Sequence, residues 1–83
     1  METKDKGDNI AAKEVGRRLR ELREEHRLNK TEVATRAGIK TSTLNAIEEG
    51  RYNTGIRQIA DIAHTLGAKV AIVQDEQPIR SYL

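Results

Sequence analysis

Lys40, Thr41, Ser42 and Asn45 form a short run of side chains suited to reading another molecule through hydrogen bonds. An asparagine amide donates and accepts through adjacent atoms and pairs with adenine in bidentate fashion. Serine and threonine hydroxyls bond to several bases, and the Thr41 methyl can touch a thymine methyl. Lys40 can reach guanine or a phosphate. Leu44 and Ile47 share this stretch. Turned inward at a helical spacing, they leave the short polar side chains on the opposite, outward face.

The elements that must hold this face lie in residues 28–50, LNKTEVATRAGIKTSTLNAIEEG. They read as a helix, a tight turn at Gly38 and a second helix. Asn29 is a good N-cap, and Glu32, three residues on, completes a capping box. Val33, Ala34 and Ala37 face the core. Gly38 follows as a left-handed residue where a side chain would cost energy. The next helix is predicted over Thr41 to Glu49, with Lys40 at its cap position and no capping oxygen there. A helix-turn-helix of this kind places its second helix in the DNA major groove.

The segment resembles the lambda-repressor/Cro (XRE) family of helix-turn-helix regulators. The resemblance rests on Leu28, Glu32, Val33, Ala34, Ala37, Gly38, Ile39, Ser42, Thr43, Leu44, Ile47, Glu48 and Gly50. The flanks agree: GRRLRELREEHRL resembles the family's first helix and IRQIADIAHTLG its fourth. The match runs from about Val15 to Gly67. It implies an all-α, four-helix DNA-binding domain. It also implies that Lys40, Thr41, Ser42, Asn45 and Ala46 contact bases, and that Thr43 supports the turn or touches phosphate. Three positions depart from the family: Lys40 replaces the usual capping Ser or Thr, Lys30 a frequent Gln, and Ala46 a larger polar residue. Readout at Ala46 would therefore be weak or rest on methyl contact.

Phosphate contacts position a protein without carrying sequence information. The candidates are Asn29 and Lys30 at the start of the second helix, with Arg51, Tyr52 and Asn53 after the third. A helix N-terminus favours a phosphate, and Lys30 adds a charge. Arg17 or Arg18 is a further candidate, against the plainer reading of a solvated arginine. Glu48 reads as structural, with Arg17, Arg18 or Arg51 as its partner, since a carboxylate aimed at phosphates weakens binding.

Residues 1–9 are charged and read as a flexible arm. The domain is predicted over 10–67. Its first helix runs from about Ile10 to His26 with Val15, Leu19 and Leu22 as one apolar stripe. The fourth helix is capped by Asn53 or Thr54, lined by Ile56, Ile59, Ala60, Ala63 and Leu66, and stopped by Gly67. Ile62 widens that stripe and hints at a partner. Residues 68–73, AKVAIV, read as a β-strand. No other strand-like run exists to pair with it, so the economical partner is the same strand of a second copy. That makes Val70, Ile72, Val73 and Ile62 the dimerisation candidates. The alternative is an extended tail packed on the body. Residues 74–83 read as a mobile tail or a partner-binding peptide.

Other chemistry finds little support. The 83 residues fit one domain, with 15 basic and 13 acidic side chains and a net charge of +2. Charge alone would not point to DNA. There is no cysteine, hence no disulfide or thiolate metal site. His26 and His64 have no ligand-spaced partner, so no metal and no cofactor are expected. Ser42 and Ser81 are the only serines, neither in a catalytic motif, and an enzyme is not expected. No run approaches the roughly 20 apolar residues of a membrane span, and METKDKGDN lacks a signal peptide's apolar core. The expected location is the cytoplasm, at the nucleoid if DNA is bound.

The first functional reading is a homodimeric regulator that represses its own operon from a near-palindromic double-stranded site. Within that class the strand after the fourth helix resembles antitoxins of the HigA and HipB kinds. That resemblance implies a toxin partner, a ribonuclease or a kinase. A free-standing phage or mobile-element regulator, or a restriction–modification controller, is the alternative. A different class is a protein–protein module on the same helices. Salt separates the classes, because affinity for DNA falls steeply with salt, by a log–log slope of about −0.9 per phosphate neutralised.

Overall fold

The first helix of the chain is also its longest. The structure, a computed structural model, describes residues 2–52 and 54–72. α1 spans Glu2–Glu25, α2 Lys30–Ala37, α3 Thr41–Glu48 and α4 Ile56–Thr65. α1 thus begins eight residues ahead of the predicted onset at Ile10. No proline interrupts residues 2–9, and adding residues to an established helix costs far less than nucleating one.

Among the described residues, all four helices stop in the same way. A left-handed residue follows each one, and its own amide and the next turn back onto the last carbonyls of the helix. The residues are Arg27, Gly38, Gly50 and Gly67, with φ of 56°, 75°, 74° and 70°. At Gly38 its own amide reaches Thr35 O at 3.2 Å and the Ile39 amide reaches Ala34 O at 3.0 Å. Arg27 does this without a glycine, which is why no stop signal is legible there.

The core is aliphatic. Leu19, Val33, Ala34, Leu44, Ile47, Ile62, Ala63 and Leu66 are buried together, with Leu22, Leu28, Ala37, Ile39, Ile59 and Ala68 packed around them. α3 lies against both α1 and α2, and α2 also packs on α4. The inward face of α1 is rotated from the predicted stripe. Gly16, Leu19 and Arg23 are buried, whereas Val15 is 40% exposed. Gly16 explains the rotation: a Cβ there would stand 2.1 Å from Ile47 O and 2.7 Å from Glu48 O. The C-terminal end of α3 therefore rests directly on the α1 backbone.

Three expectations for α4 need correction. Its N-cap is Gly55, with no side-chain cap bond, and not Asn53 or Thr54. Thr54 instead hydrogen-bonds Gln58. Ile56 is 71% exposed, while Ile62 is fully buried. Ile62 is therefore part of this chain's own core and is withdrawn as a dimer contact.

Among the described residues no strand forms. Residues 68–72 run on from α4 without a ladder partner. Ala68, Val70 and Ala71 border an apolar cleft with Val15, Leu22 and Ile59. Val70 remains 40% exposed and Ile72 fully exposed. Val73 lies outside the described residues.

Candidate nucleic-acid interface

The turn between α2 and α3 fixes the candidate reading face. α2 starts with both halves of a capping box: Glu32 N donates to Asn29 Oδ1 at 2.8 Å, and Asn29 N donates to Glu32 Oε1 at 2.9 Å. Asn29 spends its oxygen on this cap, so only its amide NH₂ is free for a phosphate. Lys40 stands at the N-cap of α3 without a side-chain bond. The first N–H groups of α3 are left open, beside a lysine charge.

Within α3 the buried and outward residues separate cleanly. Leu44 is fully buried and Ile47 is 2% exposed. Lys40, Thr41 and Ser42 are exposed, while Thr43, Asn45 and Ala46 are half-buried. Arg51 and Tyr52 are exposed just past the helix, Asn29 is exposed at the start of α2, and Lys30 is half-buried beside it. Asn53 lies outside the described residues.

A polar chain joins members of both predicted sets. Lys30 Nζ donates to Asn45 Oδ1. Asn45 Nδ2 donates to Glu49 Oε2 at 3.3 Å, and Arg51 Nε donates to Glu49 Oε1 at 2.7 Å. Lys30 and Asn45, predicted to touch phosphate and base separately, are thus one unit. The Arg51 guanidinium, through its hydrogen bond and then its charge, holds the Glu49 carboxyl below its ordinary range. Asn45 and Lys30 add to that lowering, and desolvation opposes it. Glu49 escaped the sequence reading, although its position four residues after Asn45 on one helix face is a legible signal.

Beneath this face lies a buried ion pair. Arg23 donates through Nε to Glu48 Oε2 at 2.6 Å and through Nη2 to Glu48 Oε1 at 3.0 Å. Its Nη1 donates to Leu28 O at 3.0 Å. The hydrogen bonds that Arg23 donates to the Glu48 carboxylate push the Arg23 pKa further up, against the desolvation that lowers it. Glu48 is structural as expected, but its partner is Arg23 and not Arg17, Arg18 or Arg51. Arg17 and Arg18 bond to Glu21 on the surface of α1, at 2.6 and 3.3 Å. Arg51 is taken by Glu49. Among the described residues no helix is long and apolar enough to cross a membrane, and no cluster of His, Cys, Asp and Glu could hold a metal ion.

A family model described as a helix-turn-helix domain matches residues 14–74. This chain belongs to the helix-turn-helix regulators of the lambda-repressor/Cro type. Relatives of this helix-turn-helix chain include an immunity repressor protein of Bacillus phage phi105, 31% identical over 65 residues. That match covers 78% of the chain but only 45% of the phage protein. An HTH-type transcriptional regulator of Archaeoglobus fulgidus is 30% identical over 63 residues, covering 72% of this chain and 90% of the relative. Among solved structures, the restriction–modification controller protein C.AhdI from Aeromonas hydrophila matches with a TM-score of 0.69 and 28% identity. That match covers 72% of this chain and 91% of the controller.

Proposed function

We propose that this chain is a sequence-specific DNA-binding repressor that acts as a homodimer on a near-palindromic operator, its own promoter included. One observation carries the reading. Leu44 and Ile47 of α3 are committed to the core, and Thr41, Ser42, Asn45 and Ala46 fall on the other side of a helix reached across a helix-turn-helix. Lys40 at the head of α3 joins them as a base contact, and Lys30, Arg51 and Tyr52 flank that face as the phosphate-contacting set, with Thr43 and Asn29 at the two helix starts. In a two-fold dimer the two α3 helices would enter successive major grooves roughly 34 Å apart.

The dimer reading is supported by the chain after α4. Val70 and Ile72 carry apolar side chains that a single copy leaves uncovered. Pairing of 68–73 with the same segment of a second copy would cover them and satisfy backbone groups of the described residues 68–72 that have no ladder here. An antitoxin role depends on that ribbon and on a toxin partner. The likeness to a phage immunity repressor and to a restriction–modification controller favours a free-standing regulator instead.

Fluorescence anisotropy tests the proposal, using DNA upstream of the gene against scrambled DNA across a salt series. Selective binding that falls steeply with salt, and is lost in the Thr41→Ala/Ser42→Ala/Asn45→Ala protein, is the expected result. Salt-insensitive binding, or a triple variant as selective as wild type, would remove α3 as the reader.

A further inference from the structure

We propose that Glu49 is a specificity-determining residue: its carboxylate sets the Asn45 amide for base reading and lowers affinity for DNA of the wrong sequence. The inference rests on the DNA-reading role of α3 given above.

The geometry gives Asn45 one orientation. Its oxygen faces the Lys30 ammonium and its NH₂ faces the Glu49 carboxylate. Flipping the amide would set the NH₂ against an ammonium and the oxygen against a carboxylate, and both contacts repel. Each amide atom keeps unused capacity, one N–H and one lone pair, for a base edge. Bidentate pairing with adenine needs that one orientation, oxygen to the N6 amine and NH₂ to N7. A clamped amide therefore meets its base already set, and cannot turn over to suit another.

The charge acts in the same direction. Binding to arbitrary sequence is driven by phosphate neutralisation. Glu49 ties up Arg51, a phosphate candidate, at 2.7 Å on an exposed surface. A carboxylate there weakens every complex, and only a site that satisfies Asn45 recovers the loss. Discrimination thus comes from a repulsive element as well as an attractive one.

The experiment compares wild type, Glu49→Gln and Glu49→Ala. Its probes are the duplex that the wild-type protein selects from a randomised library and a scrambled version of it. Glu49→Gln keeps an acceptor oxygen and loses the charge. It is expected to bind scrambled DNA more tightly, with a salt slope steeper by about one unit. Glu49→Ala loses both functions. It is expected to cut the selected-to-scrambled ratio by about tenfold, the size of one good base contact. In an Asn45→Ala background Glu49→Ala should then leave preference at that base pair unchanged, because the two act as one unit. Thermal melts confirm that the variants fold. A ratio unchanged in Glu49→Ala overturns the inference while leaving the DNA-reading role intact. If the wild-type protein selects no duplex, the DNA-reading role fails and Glu49's assignment falls with it.

Discussion

Arg23 and Glu48 are opposite charges with almost no exposure, 8% and 4%. Neither is tolerable alone, because removal of one partner leaves a desolvated charge behind. Arg23→Ala or Glu48→Ala should cost about 3–5 kcal/mol. Urea titration would show it as a lowered midpoint. Arg23→Met/Glu48→Leu should cost much less than the sum of the two single losses. This pair was half-legible. Arg23 falls four residues after Leu19, on the core side of α1, and an arginine at a core-period position asks for a buried acceptor. Which acceptor it finds depends on how α1 crosses α3, and spacing along the chain carries no information on that. Glu49 offers a second check at this scale. Its carboxyl is held low chiefly by Arg51, so whatever stability it adds is present above the usual carboxylate pKa and lost as pH falls through the lowered one. An NMR titration should place its midpoint below that of a free glutamate and return it upward in Arg51→Ala.

Helix starts and stops were mostly readable, because capping and left-handed residues act locally. Asn29, Glu32, Gly38, Gly50 and Gly67 do what their types suggest. The faces of α1 and α4 were less readable, because a face is chosen by a neighbour. Gly16 carries no turn or cap signal in the sequence, yet it sets the approach of α1 to α3. Gly16→Ala should destabilise the fold by about 3 kcal/mol or more, since the obstacle is backbone carbonyl and cannot rotate away. Its melting temperature should drop well below that of Gly38→Ala, where an added Cβ meets nothing and only the backbone conformation resists. The uncapped start of α3 leads to the opposite kind of test. Lys40→Ser supplies a capping hydroxyl and should raise stability by about 1 kcal/mol. It should also weaken DNA binding and flatten the salt slope, so stability and affinity would move in opposite directions.

For the molecule as a whole, the proposed dimer rests on the exposed apolar side chains after α4. Ile72→Asp or Val70→Pro should shift sedimentation from dimer to monomer and leave the helical circular dichroism intact. A dimer that survives both changes would move the contact elsewhere, with Ile10 of α1 and Ile56 of α4, 65% and 71% exposed, as the next candidates. The segment's β-branched residues suggest a strand, but a strand needs a partner to complete its ladder, and among the described residues none is present and no strand forms. One feature of α3 reaches further than any single operator. Thr41 and Ser42 are exposed, while Leu44 and Ile47 of the same helix hold the core. Under the proposed role, mutations can therefore accumulate at Thr41 and Ser42 with little penalty in folding. Lineages carrying this fold are free to drift toward new target sequences one substitution at a time, and duplicated genes can become insulated circuits without rebuilding the scaffold.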